Sequence, residues 1–387
     1  MTVSDGDEFQ RAMEGRRLLA SFGAGLPPSR RLAAKCLVGL DTIFHEWKRD
    51  LETYVAAGGS LLRVVIAKPG SGKTHLGEAL KATAAELGFL VCKVDTQAQN
   101  TSSDDLLLYR GFCLGVVVPD QYFGDREGGP GLRCVLEDVA ERLDGSQVRA
   151  ALRPVKLPVP ALKDTLAALV DASRANRLAV DPGWQALLAV MSGDKVPGAG
   201  TLSALRSLYP VPFKYLKKLP GKRDARLWLE SLLLALRPLG FPGVMLVLDE
   251  HDDARKKSID QSIVQLRQQL DRLAEGHLPG AFVLYLVLDD FPDRVRESHP
   301  ALEQRMSPLI RGKLPSRLMA DLSSLRDLDG AAFLVAVSER LHLLLLGAPM
   351  SAELTSQAAV LAKKHAAKMG GVDTRAFVQA FAQILDI

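Results

Sequence analysis

The chain has 387 residues, 47% of them hydrophobic, and a formal net charge of +4. This length can bury a substantial core in two or three structural modules, and so small a charge does not by itself indicate a nucleic-acid binder. No apolar run approaches the roughly 20 residues of a membrane-spanning helix, and the polar start MTVSDGDEFQ resembles neither a secretory signal nor a transit peptide. The four cysteines show no CxxC spacing, which indicates neither a zinc site nor a disulfide framework. We therefore expect a globular protein of the cytoplasm with no membrane contact.

Residues 1–60 are helical in character. Between Cys36 and Val55, apolar residues recur at helical spacing, which predicts one amphipathic helix packed beside the segment that follows.

A short run at 61–66, rich in β-branched residues, leads into AKPGSGKT, and a helical stretch follows. A strand, a glycine-rich loop and a helix in this order form a phosphate-binding P-loop, whose backbone N–H groups bind oxygen anions. Ala67 replaces the first glycine of the pattern, a tolerated variant. Lys73 is expected to reach the β- and γ-phosphates of ATP, and Thr74 to hold Mg²⁺. The candidate nucleotide-binding residues are Ala67, Lys68, Pro69, Gly70, Ser71, Gly72, Lys73, Thr74 and His75.

A second strand at 89–95 completes a β–α–β unit and predicts a parallel sheet. From there to Gly243 no strand of comparable quality occurs, apart from a short apolar run at 116–118. We interpret about 100–240 as a helical insertion, since so long a stretch is too long for a loop.

Within this insertion, the segment 206–226 carries many basic residues against a single acidic one, Asp224. Basic groups would neutralise phosphates and aromatic rings would stack on bases, although such a run is also typical of a solvated face. The nucleic-acid candidates are Lys214, Tyr215, Lys217, Lys218, Lys222 and Arg223.

The apolar run 244–248 ends in Asp249 and Glu250, which is typical of a Walker B strand. Asp249 is expected near Mg²⁺, and Glu250 is expected to polarise the attacking water, because phosphoryl transfer depends on positioning and charge stabilisation.

A third strand at 281–288 precedes Asp289 and Asp290. In ATPases with an extra strand between the two motifs, a polar side chain at this tip contacts the γ-phosphate or the water. Both aspartates are sensor candidates, and a strand-ending turn remains the alternative. Arg294, Arg296 and, preferred, Arg305 are candidates to stabilise phosphate charge, from the same or a neighbouring subunit.

After Asp290 the sequence predicts helices to the end, at 331–346, 353–369 and 374–385. A C-terminal helical lobe of this kind is typical of AAA+-like ATPases. The predicted organisation is an N-terminal helical segment (1–60), an α/β P-loop NTPase core with a parallel sheet and the insertion (61–328), and a helical lobe (329–387).

Three stretches together resemble the ATP-binding P-loop proteins of BREX phage-defence systems. They are RVVIAKPGSGKTHLGEALKATAAELGFLVCKVD, GFPGVMLVLDE and LPGAFVLYLVLDDFPDRVRESHPALEQRM. The resemblance implies ATP binding at Gly70, Gly72, Lys73 and Thr74, and hydrolysis through Asp249 and Glu250. It also implies antiphage defence and work on DNA beside other defence proteins such as a helicase.

Two functions from different classes stay open. In the first, an AAA+-like ATPase couples ATP to DNA or to a DNA-acting partner; in the second, nucleotide state switches the binding of protein partners without nucleic acid. A small-molecule kinase is a third reading. Homo-oligomerisation is expected only by analogy with AAA+ rings.

Overall fold

The computed structural model describes residues 29–68, 71–95, 105–193, 224–249, 259–300, 302–303, 319–322, 330–366 and 374–385, together with Met13 and Arg17. These residues form a mixed α/β structure in which helices cover both faces of a six-stranded sheet.

From residue 29 onward, the described chain has turns at 30–36 and then a helix α1 (Asp41–Asp50), which continues as a π-helical turn at Leu51–Val55. The prediction that one helix runs from Cys36 to Val55 is therefore wrong at its start. Gly39 has a φ of +69°, a left-handed conformation that a continuous right-handed helix does not accommodate.

The sheet contains β1 (Leu61–Ile66), β2 (Leu90–Asp95), β3 (Val116–Val117), β4 (Val244–Asp249), β5 (Ala281–Val287) and β6 (Met319–Asp321). Its strand order is β3-β2-β4-β5-β1-β6, and only the pair β2/β3 is antiparallel. The expected strands at 61–66, 89–95, 244–248 and 281–288 agree with this sheet to within one residue at each end. They are predominantly apolar because helices bury a parallel sheet on both faces; Arg63 in β1 and Lys93 in β2 are the basic residues of these four strands.

The prediction that the chain is helical throughout after Asp290 is wrong, because β6 pairs in parallel with the end of β1. This strand has only three residues, Met-Ala-Asp, and lies at the sheet edge. It contains no β-branched residue, so neither length nor β-propensity marks it in the sequence.

Among the described residues between β1 and β4, the helices are α2 (Lys73–Glu86), α3 (Asp105–Gly115), α4 (Pro119–Phe123), α5 (Leu132–Arg142), α6 (Gly145–Leu152), α7 (Leu162–Arg174), α8 (Arg177–Val180), α9 (Pro182–Met191) and α10 (Ala225–Leu236). After β4 follow α11 (Ile259–Ala274), α12 (Phe291–Ser298), α13 (Gly330–Leu346), α14 (Ala352–Ala366) and α15 (Thr374–Ile384). The described part of the insertion is thus helical apart from the two-residue strand β3.

Two hydrophobic clusters cover the two faces of the sheet. One face packs against the insertion helices α3, α5, α7 and α10 together with α11. The opposite face packs against α1 and α2, with Val247 and Leu286 among its buried residues. The helix that follows the glycine-rich loop therefore lies on the same face as the side chains of Val247 and Leu286.

The last three helices bury a third cluster of their own, which includes Phe333, Leu341, Phe377 and Phe381. Leu32 and Cys36, from the turns before α1, belong to this same cluster. The N-terminal turns therefore connect the C-terminal helices to the rest of the chain through side-chain packing. The predicted domain boundaries at 60 and 328 remain a prediction.

Candidate functional site

The carboxyl ends of β1, β2, β4 and β5 meet at one edge of the sheet, because these four strands are parallel. In the strand register, Asp95, Asp249 and Leu286 form one row across β2, β4 and β5, and Ile66 pairs with Val287 beside them. Ligands of open α/β sheets bind outside this edge. The two sequence motifs, which are far apart in the chain, are therefore brought to the same edge.

The glycine-rich loop turns directly from β1 into α2. Ser71 closes part of the turn, since its backbone N–H and its hydroxyl both donate to the Lys68 carbonyl, at 3.2 and 2.6 Å. Gly72 precedes α2 with a φ of +95°, where a side chain would be strained even though a Cβ would meet nothing within 4 Å. Pro69 and Gly70 lie outside the described residues.

Ala67 takes the place of the glycine that opens the usual motif. Its side chain is buried, and its N–H donates to the Val287 carbonyl at 3.3 Å, which extends the pairing of β1 with β5 by one residue. Among the described residues other than glycine, Asn176 has a positive φ, and Ala67 does not. The position therefore requires no glycine conformation, which explains why alanine fits.

Lys73 and Thr74 open α2 at this edge. The Lys73 ammonium donates to the carbonyl of Val287, the last residue of β5, at 3.3 Å. Its side chain therefore extends back over the loop to the sheet edge, while Thr74 is exposed. A lysine and a hydroxyl in these places present a cation and a hard oxygen ligand next to the N-terminus of a helix, which favours anions.

Asp249 is the last residue of β4 and is only 5% exposed. It lies two residues after Val247, and side chains two apart point to the same face, so its carboxylate is on the α2 side of the sheet. The Lys93 ammonium, from β2, lies 3.1 Å from Asp249 Oδ2. Glu250 lies outside the described residues.

The oxygen ligands at this edge fit Mg²⁺ in type. Thr74 supplies a hydroxyl and Asp249 a carboxylate, the hard oxygens that Mg²⁺ prefers, and Mg²⁺ in nucleotide sites takes its other ligands from phosphates and water. In the part of the chain that the structure describes, no group of three or more His, Cys, Asp or Glu side chains could hold a metal ion.

The two sensor candidates follow β5 within three residues of Val287. Asp289 is exposed, and Asp290, which precedes α12, lies 3.5 Å from Arg294 Nε. The Arg294 guanidinium also lies over the Phe291 ring, 5.3 Å from its centroid. Asp290 and Arg294 thus form a local pair at the start of α12, and the sensor role of either aspartate stays a prediction.

The arginine candidates have different surroundings. Arg296 is on the surface of α12, where it pairs with Asp293 at 3.1 Å and with Glu303 at 3.0 Å. Arg305 lies outside the described residues, as do all six nucleic-acid candidates between Lys214 and Arg223. The roles of these residues remain predictions from the sequence.

The side chain of His75 contacts the N-terminal turns. Its Nε2–H donates to the carbonyl of Ala33 at 2.8 Å, which assigns the proton to Nε2 because a carbonyl can only accept. Burial lowers the pKa of His75, so the neutral ring is favoured. The sequence did not indicate that α2 would be joined in this way to the N-terminal turns.

We expect His75→Ala to lower the free energy of unfolding by about 1–2 kcal/mol, because the Ala33 carbonyl, in a fully buried residue, would lose its donor. Urea unfolding of the nucleotide-free protein measures this. His45→Ala is the matched control, since exposed His45 makes the same kind of bond, Nδ1 to the Asp41 carbonyl, on the surface of α1. Equal effects of the two changes would show that the bond to Ala33 does not stabilise the fold.

Comparison with known proteins found a match to one family model and to no individual protein. Residues 11–117 match the model of the family described as BREX system ATP-binding protein BrxC/D. This range includes the glycine-rich loop, α2 and β2. No curated protein and no solved structure matches the chain. None of the described helices is long and apolar enough to cross a membrane. The resemblance to BREX system ATP-binding proteins is thus confirmed over residues 11–117.

Proposed function

We propose that this protein is an AAA+-like P-loop ATPase of a phage-defence system, which binds and hydrolyses ATP with Mg²⁺ and couples this to DNA or to a DNA-acting partner. The observation that carries the proposal is the meeting of Lys73, Thr74 and Asp249 at one edge of a parallel sheet. The family match over residues 11–117 supports ATP as the nucleotide.

The strand order supports the AAA+-like reading. β5 lies between β1, which leads into the glycine-rich loop, and β4, which ends in Asp249. This is the extra strand expected in ATPases whose sensor residue follows the strand between the two motifs. The third buried cluster, formed by α13 to α15, supports a separate C-terminal helical lobe.

Each residue has a definite task in this proposal. Lys73 and the backbone N–H groups of the loop bind the phosphates, and Thr74 and Asp249 hold the Mg²⁺ ion. When bound, Mg²⁺ offsets negative charge on the phosphate oxygens. Glu250 orients and polarises the attacking water, and Arg305 stabilises charge that develops on the γ-phosphate, in the same or a neighbouring subunit.

The test of DNA coupling is the rate of ATP hydrolysis with and without double-stranded DNA. We expect DNA to raise this rate in the wild-type protein and not in Glu250→Gln. We also expect salt-dependent DNA binding that is lost when Lys217, Lys218, Lys222 and Arg223 are changed to glutamate, because these side chains would neutralise phosphates.

The matched control reverses four basic residues elsewhere on the surface: Lys48, Arg49, Arg149 and Lys163. It changes the net charge equally and should leave DNA binding largely intact. Retained ATP binding without any response to DNA would contradict the coupling and would favour a nucleotide-dependent switch that binds protein partners.

A further inference from the structure

The Lys93–Asp249 pair joins a charged residue of β2 to the candidate metal ligand of β4. The register pairs Lys93 with Val247, and Asp95 with Asp249, so Lys93 and Asp249 lie diagonally on the same face of neighbouring strands. Lys93 is the one basic residue in the strand sequence LVCKVD. Its position on the α2 face brings its ammonium to the carboxylate at 3.1 Å.

The two partners differ in their freedom to move. The Asp249 side chain is 6% exposed and that of Lys93 is 40% exposed. The carboxylate is held at the strand end, whereas the lysine has a flexible four-carbon stem and open space on one side. A ligand arriving at Asp249 can therefore displace the Lys93 ammonium into solvent without unfolding the strand.

A second positive charge lies near Lys93. Lys81, on α2, is buried and binds Glu78 Oε1 at 2.6 Å. Burial lowers the pKa of Lys81, Glu78 opposes that shift, and the charge of Lys93 lowers the pKa further. Glu78 is therefore already paired with Lys81, whereas Lys93 is paired with Asp249.

We propose that Lys93 competes with the divalent cation for Asp249. This inference rests on the proposed function. Mg²⁺ and an ammonium are both attracted to the same carboxylate oxygen, and Mg²⁺ requires near-ideal octahedral geometry that a neighbouring ammonium would disturb. The competition weakens the attraction of Asp249 for a free cation, so the cation binds when a nucleotide supplies further oxygens.

The test is a Mg²⁺ titration of the binding of a fluorescent ATP analogue to the full chain. Lys93→Met should lower the half-saturating Mg²⁺ concentration about three- to tenfold, since it removes a cation that is only partly screened by solvent. Lys93→Arg, which retains the charge, should behave like the wild type. Binding of the analogue in EDTA should be the same in all three proteins.

Two controls locate the effect. Lys48→Met removes a lysine of similar exposure, 43%, which pairs at 3.8 Å with Glu52 on the next helical turn and has no part in the proposed site. This variant should leave the titration unchanged. In an Asp249→Asn background, Lys93→Met should add nothing, because the group for which the two cations compete is gone.

An unchanged or higher half-saturating Mg²⁺ concentration in Lys93→Met would overturn the competition. Weaker binding of the analogue in EDTA would also overturn it, since Lys93 would then contact the nucleotide. If the wild-type protein shows no Mg²⁺-dependent binding of the analogue at all, the proposed function fails, and this inference fails with it.

Discussion

Lys73→Ala is expected to reduce ATP affinity by at least about 100-fold. Lys73 is the first residue of α2. Charge-assisted hydrogen bonds from its ammonium to two phosphates would contribute about 1.5–3 kcal/mol each, where about 1.4 kcal/mol is tenfold in affinity. Isothermal titration calorimetry with Mg²⁺ and ATP measures the loss directly. The Val287 carbonyl that accepts from Lys73 at 3.3 Å also accepts from the Ala67 N–H at 3.3 Å, so it keeps one donor in the variant and the fold should persist.

Lys48→Ala is the control for this change, because Lys48 belongs to a surface ion pair on α1. It should bind ATP like the wild type. Urea unfolding of both variants separates a binding defect from a folding defect. If Lys73→Ala is folded and still binds ATP within about threefold of the wild type, the segment AKPGSGKT is not a phosphate-binding loop.

Glu250→Gln is expected to retain ATP binding and to slow hydrolysis by about 100- to 10,000-fold, the usual contribution of a general base. Glutamine keeps the shape of the side chain but cannot accept a proton from the attacking water. Single-turnover hydrolysis, together with the affinity for ATP, separates the chemical step from binding.

Glu353→Gln makes the same change at an exposed position of α14 and should hydrolyse ATP at the wild-type rate. Hydrolysis at the wild-type rate in Glu250→Gln would show that the Walker B assignment is wrong. Loss of ATP binding in this variant would instead place Glu250 among the residues that hold the nucleotide.

The strands were the part of the fold that could be predicted with most success. β1, β4 and β5 are buried on both faces. The sequences of β4 and β5 are therefore continuously apolar up to the strand end, and that of β1 is apolar except for Arg63, which pairs with Asp50. β6 was not predicted because its three residues form a strand only by pairing with β1, which lies about 250 residues earlier in the chain. The start of α1 was predicted too early because the apolar residues recur at helical spacing on both sides of Gly39, whereas the left-handed backbone of Gly39 interrupts the helix itself.

The loop of the candidate site was predicted from its local sequence and not from strand burial. The part that is proposed to bind phosphates is one contiguous loop, so spacing and flanking elements alone predict the roles of Lys73 and Thr74. Lys93 was not singled out, although one signal was present: a lysine within the apolar strand sequence LVCKVD. The contact of Lys93 with Asp249 exists because β2 pairs with β4. The sequence does not show which strands pair.

By itself, the sequence determined the local pattern of this protein: a glycine-rich loop that predicts phosphate binding, a carboxylate at the end of an apolar strand, and a family resemblance that comparison confirms over residues 11–117. Only the tertiary structure decided that Asp249 faces Lys93 and that His75 bonds to Ala33. Contacts of this kind join residues that are between about 40 and 160 positions apart. They arise from the order and register in which strands and helices pack, which local propensity and periodicity do not encode.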